Sequence, residues 1–106
     1  QGISALKNAQ KLSPTDPKIP YSLALYNSVL FDLSKNNQEK QVLLKLSIDE
    51  INNVIKLKPN YREGYILKGQ LLKKYGFNTE AKSTFEYILE NFDKNDQEVI
   101  KELQSF

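Results

Sequence analysis

Cysteine and histidine are both absent from the chain, which excludes disulfides, thiolate nucleophiles, imidazole bases and zinc sites of the usual nitrogen and sulfur type. Most familiar catalytic constellations go with them, so neither enzymatic activity, nor a cofactor, nor a metal is expected. The lack of Cys leaves the compartment open, because a Cys-free domain suits reducing and oxidising surroundings alike. Tryptophan and methionine are missing too, and arginine occurs once, as Arg62. No apolar run approaches the roughly 18 to 20 residues that cross a bilayer, and the first residues lack the charged-then-apolar layout of a signal peptide. A soluble segment without direct membrane insertion is the expectation. The missing Met, with a Gln1 that leads straight into helix-like sequence, points to a fragment of a longer chain.

What is present suits a folded helical body. The 106 residues amount to one domain's worth of chain, and 40% hydrophobic with 26% charged residues is far from the composition of disorder. Four Gly and four Pro fall mostly between periodic stretches, as expected for helices joined by short turns.

Three stretches align over one another: Ala9-Gln10-Lys11-Leu12-Ser13-Pro14, Val54-Ile55-Lys56-Leu57-Lys58-Pro59 and Ile88-Leu89-Glu90-Asn91-Phe92-Asp93. The step from Pro59 to Asp93 is 34 residues and that from Pro14 to Pro59 is 45. In the shorter unit, Tyr61, Tyr65, Gly69 and Leu72 share one face of a helix over about 61–75. Gly76 ends it, Asn78 is placed to cap the next, and a second helix over about 79–91 carries Ala81, Phe85, Ile88 and Phe92 on one face.

This unit resembles a tetratricopeptide repeat, whose length is about 34 residues. Tyr65 stands at the large aromatic site, Gly69 and Ala81 at the two small sites, Gly76 at the turn, Phe85 at the aromatic site of the second helix, and Ile88 at the next core site. Lys68 departs from the aliphatic preference and Asp93 from the closing proline. The longer unit matches with Leu23-Ala24, while Pro20 replaces the aromatic. A helix over 18–34 carries the stripe Leu23, Tyr26, Leu30 and Leu33, and a second over about 39–57 carries Leu44, Ile48, Ile51 and Ile55, with Ser47 in place of the family's alanine. The 11 extra residues extend the Ser34-Lys35-Asn36-Asn37-Gln38 loop or lengthen the helices. Residues 3–12 read as the second helix of a preceding repeat, with Leu6, Ala9 and Leu12 inward. Asn95 or Asp96 caps a last helix with Val99, Leu103 and Phe106. The resemblance therefore implies an all-α superhelix of antiparallel hairpins: a half repeat (1–14), an expanded repeat (15–59), a repeat (60–93) and a capping helix (94–106).

In tetratricopeptide arrays the first helices of successive repeats line a concave groove that holds a peptide or protein. Carried over by position, the groove is Tyr21, Leu25, Ser28 and Val29 with Glu63, Ile66, Gln70, Lys73 and Lys74. Against this, Lys73 and Lys74 also read as solvated helix-end lysines favoured by the dipole. The pairs Tyr21 with Leu25, and Ile66 with Gln70, stand where one subtype grips a C-terminal carboxylate, and neither can do so through charge-assisted bonds. A non-catalytic protein-binding scaffold is the implied function.

Other classes are less well served. The lone arginine and the acids interleaved with the lysines argue against nucleic acid despite the net charge of +2. No carboxylate pair has the spacing of a cleft, and Gly64 and Gly69 lack the lysine and hydroxyl of a phosphate loop. The alternative is a structural spacer, or the soluble tail of a membrane-bound parent: Lys18-Ile19-Pro20-Tyr21 through Lys58-Pro59-Asn60-Tyr61-Arg62 resembles tails of some bacterial O-antigen ligases and polymerases. Leu6 and Ala9, with no helix before them, predict self-association through the N-terminal edge.

Overall fold

The computed structural model describes residues 2–106 and divides the chain into two compact units, Gln1–Asn60 and Tyr61–Phe106. Each unit is three helices packed in sequence as antiparallel neighbours, and all six helices among the described residues are α-helices.

In the first unit, α1 (Gly2–Leu12) packs on α2 (Lys18–Leu33), and α2 on α3 (Asn37–Leu57). Asp16 prepares α2: its carboxylate accepts the Lys18 backbone N–H at 3.0 Å. Pro20 then falls in the first turn, where a missing N–H costs little. At the far end Ser34 takes an extended backbone and its N–H returns to the Leu30 and Phe31 carbonyls. The Asn36 side chain accepts from the backbone N–H groups of Gln38 and Glu39 at 2.8 and 3.1 Å, a strong N-cap for α3. The connection is therefore three residues, and the extra length of this segment goes into the helices: α2 and α3 span 16 and 21 residues, against 13 and 14 for α4 and α5. Lys40 ties the two together, donating to the Phe31 carbonyl at 2.8 Å with its ammonium 4.3 Å from that ring's centroid.

The core line of this unit differs from the expected stripe. Leu23, Ala24, Asn27 and Ser28 are buried on α2, whereas Tyr26, Leu30 and Leu33 lie on its flank, with Leu33 72% exposed. On α3 the buried line is Ser47, Ile51 and Val54, with Leu44, Ile48 and Ile55 half-buried beside it. The reason is the close α2/α3 approach, which small residues permit: Ala24 and Ser47 are fully buried, and the Ser47 hydroxyl satisfies itself on the Leu43 carbonyl at 2.9 Å. Leu12, expected inward on α1, is 86% exposed.

In the second unit, α4 (Arg62–Lys74) packs on α5 (Asn78–Asn91), and α5 on α6 (Gln97–Gln104). The α4 terminus is a Schellman turn: Gly76 takes φ +89°, its N–H bonds the Lys73 carbonyl at 3.1 Å, and the Phe77 N–H reaches the Leu72 carbonyl at 2.8 Å. Asn78 is the first residue of α5, not its cap. The cap position is Phe77, which makes no side-chain capping bond. Gly69 lies under the Phe85 ring, so closely that a Cβ there would stand 2.6 to 2.9 Å from ring carbons. Phe85, Ala81 and Ile88 are fully buried. Tyr65, Tyr87 and Phe92 form a half-exposed aromatic group at the side, with Tyr65 stacked on Tyr87 at 5.0 Å.

Candidate functional site

The nine expected groove residues divide between the units, four on α2 and five on α4. Within the first unit, the helical period turns Leu25 and Val29 away from the buried Leu23, Ala24 and Asn27, leaving them 43% and 56% exposed. Tyr21 is half-buried beside them, and Ser28 is buried at 6% exposure, inside the packed side of the helix and closed to an incoming partner. Leu25 and Val29 edge an open apolar cleft of about 500 Å³ that also takes in Leu6 of α1 and Ser22, Tyr26, Leu30 and Leu33 of α2. Tyr26 seats against α1 so tightly that its ring would collide with a Cβ at Gly2. The sequence puts Leu6 on the inward face of α1 and Tyr26, Leu30 and Leu33 on the α2 stripe, and all four border the cleft. The signal for this is the apolar character of α2 on more than one face, which a single packed partner does not need.

The second unit treats the corresponding face differently, because α6 lies along it. Ile66 is buried in a cluster with Phe85, Ile88 and Val99, the last from α6. Gln70 donates to the Glu102 carboxylate at 3.0 Å. Lys73 donates to the Ser105 hydroxyl and sits 3.8 Å from Glu102 and 5.0 Å from the Phe106 ring centroid. Glu63 stays exposed beside Arg62, 3.2 Å away, and Lys74 is exposed with its ammonium 5.8 Å from the Tyr75 ring centroid. The cleft that remains, about 380 Å³, is lined by Lys73, Glu98, Lys101, Glu102 and Ser105, all polar.

Arg62, at the first position of α4, fastens α6 in place. Its guanidinium donates to both Asp96 oxygens, at 2.6 and 3.0 Å, and to Glu98 at 2.9 Å. Asp96 is also the N-cap of α6, accepting the Val99 N–H at 3.3 Å. The hydrogen bonds from Arg62 hold the Asp96 carboxyl below its ordinary range despite burial, and the same bonds raise the Arg62 guanidinium further. In the first unit the opposite occurs at Glu50, whose carboxyl is pushed up by burial, against the pull of Lys7 and a bond from Gln10. Burial also raises the Tyr65 phenol, with Tyr87 adding to the effect.

Chemically, the first unit offers an apolar surface with a hydroxyl at Ser22, suited to holding another apolar surface. No group of three His, Cys, Asp or Glu side chains converges on a point among the described residues, and none of their helices is long and apolar enough to cross a membrane. Comparison with protein-family models, with curated proteins and with solved structures found no match to this chain.

Proposed function

We propose that the chain is a non-catalytic scaffold of the tetratricopeptide type, which binds a peptide or protein segment on the outward face of α2. The observation that carries this reading is the exposed apolar ridge of Leu25, Val29 and Leu33 beside the 500 Å³ cleft. A charge-poor apolar ridge of that extent is costly to leave in water and is what a recognition surface requires. The repeat assignment draws support from the second unit, where Gly69 receives the Phe85 ring and Ala81 is fully buried at the other small site. Protein, not nucleic acid, is the partner class, since α2 offers one lysine and no arginine.

Panning a random peptide library against the immobilised chain tests this. Selected peptides should lose at least about tenfold in affinity, near 1.4 kcal/mol, on a Leu25→Asp/Val29→Asp double substitution. They should be indifferent to Lys45→Ala on the exposed side of α3. Peptides that bind the double variant as tightly as the wild type would end the proposal.

A second reading, the spacer or soluble tail of a larger parent, is favoured by one observation in the second unit. There α6 already covers Ile66 and engages Gln70 and Lys73, which suits a structural stop better than a docking face.

A further inference from the structure

We infer that the outward face of α2 is self-complementary and pairs with α2 of a second copy of this chain, antiparallel, about a two-fold axis at Leu25. The inference rests on the scaffold reading above and names its partner. Lys18, Ser22, Leu25, Val29 and Asp32 follow one another at intervals of four, three, four and three, so they form one straight ridge on the helix. That spacing is the one at which two helices pack side by side over several turns. The ridge lies opposite the buried Leu23, Ala24 and Asn27, and all five of its residues are exposed or half-buried.

Charge fixes the partner and its direction. Lys18 and Asp32 are the sole charged residues of α2, and they stand at opposite ends of the ridge with an uncharged middle between them. An identical helix laid antiparallel sets each Lys18 beside the other copy's Asp32, twice by symmetry, whereas the parallel arrangement sets like charges together. Asp32 already takes part in an interaction within its own chain, and the second copy's Lys18 adds to it. Leu25 is midway between the two charges, so it meets its own counterpart, and Val29 meets Tyr21 of the other copy. Leu25 and Val29, 43% and 56% exposed in the single chain, are thereby removed from water.

The chain has no cysteine, which makes a direct test simple. Leu25→Cys should form a disulfide-linked dimer under mild oxidation at least about tenfold faster than Asn52→Cys on the exposed side of α3, since paired helix axes lie within about 10 Å. In sedimentation equilibrium the wild type should pass from monomer to dimer between about 1 and 500 μM, with Val29→Asp and Lys18→Asp each weakening the dimer about tenfold. The exchanged pair Lys18→Asp/Asp32→Lys should return to within about threefold of the wild type. A wild type that stays monomeric through 500 μM, a dimer indifferent to Val29→Asp, or an exchanged pair as weak as Lys18→Asp overturns the inference. A monomer whose α2 face still takes selected peptides overturns the dimer and leaves the scaffold. A dimer with no peptide binding keeps the pairing and ends the peptide-binding reading.

Discussion

Sequence register aligns Ile66 and Gln70 on α4 with Tyr21 and Leu25 on α2, and the two pairs meet different fates. On α4 the face is apolar at Ile66 and polar beyond it, and the chain supplies its own cover, with Val99 against the core and Glu102 and Ser105 against Gln70 and Lys73. On α2 the face is apolar at its centre, and Leu25 and Val29 stay open to water. The lesson is that positions matched by sequence register do not share a role. The element packed alongside decides whether a position is core, cap contact or surface.

The largest effects are expected where the second unit is tightest. Phe85→Ala should destabilise by about 3 to 5 kcal/mol, because it empties a fully buried site against a backbone that cannot collapse further onto Gly69. Denaturant titration measures the loss, and hydrogen exchange should place it in residues 61–106. A loss below about 1 kcal/mol would mean that the second unit is no better packed than the first.

Next comes the fastening of α6. Asp96→Ala removes the N-cap acceptor and leaves Arg62 without its main partner, at a cost of about 2 to 3 kcal/mol given that Arg62 is partly exposed. The pH dependence has a definite sign. Arg62 holds the Asp96 carboxyl below its ordinary value of 3.8, so the stabilisation is complete above that pH and is lost as pH falls through the lowered value. An acid titration should show α6 loosening below pH 3.8, an acid step absent from Asp96→Asn. Loosening that begins well above pH 3.8 would assign the fastening to another group.

A smaller effect isolates the aromatic-in-notch contact. Gly69→Ala drives a methyl group into the Phe85 ring and should cost about 1 to 3 kcal/mol. Because the two side chains share one space, Gly69→Ala combined with Phe85→Leu should cost less than the sum of the single changes. Strict additivity would show that the ring already has room to move.

The fold was largely legible because its signals are local. Gly76 must end α4 in a chain of L residues, since φ +89° is open to glycine. Asp96 was named as a cap alternative from residue type alone. The α2 stripe was misplaced for a physical reason: Asn27 and Ser28 are buried although polar, and Tyr26 and Leu33 are exposed although apolar, so a hydrophobicity pattern points to the wrong face. Of the expected groove residues on α2, Leu25 and Val29 are exposed and Ser28 is buried. Nothing in the residues of α4 announced that Ile66 would be covered by Val99, because that contact depends on where the last helix turns back.

The smallest effect opposes the two shifted carboxyls. Asp96 is lowered by an ion pair, whereas Glu50 on α3 is raised by burial, which outweighs the attraction of Lys7 and the Gln10 bond. A raised carboxyl stabilises the fold below its ordinary value of 4.5, and that contribution is lost as pH rises through the raised one. At pH 7 the Glu50 charge therefore works against the first unit. Glu50→Gln keeps the shape, drops the charge, and should stabilise the chain at pH 7 by no more than about 0.5 kcal/mol, the scale of a partly exposed substitution. The gain should vanish below pH 4.5, where the wild-type side chain is itself neutral. In a Lys7→Ala background the gain should grow, because the larger of the two effects that offset burial is gone. If Glu50→Gln instead destabilises at pH 7, then Lys7 and Gln10 outweigh burial, and α1 is held to α3 by charge as α6 is held to α4.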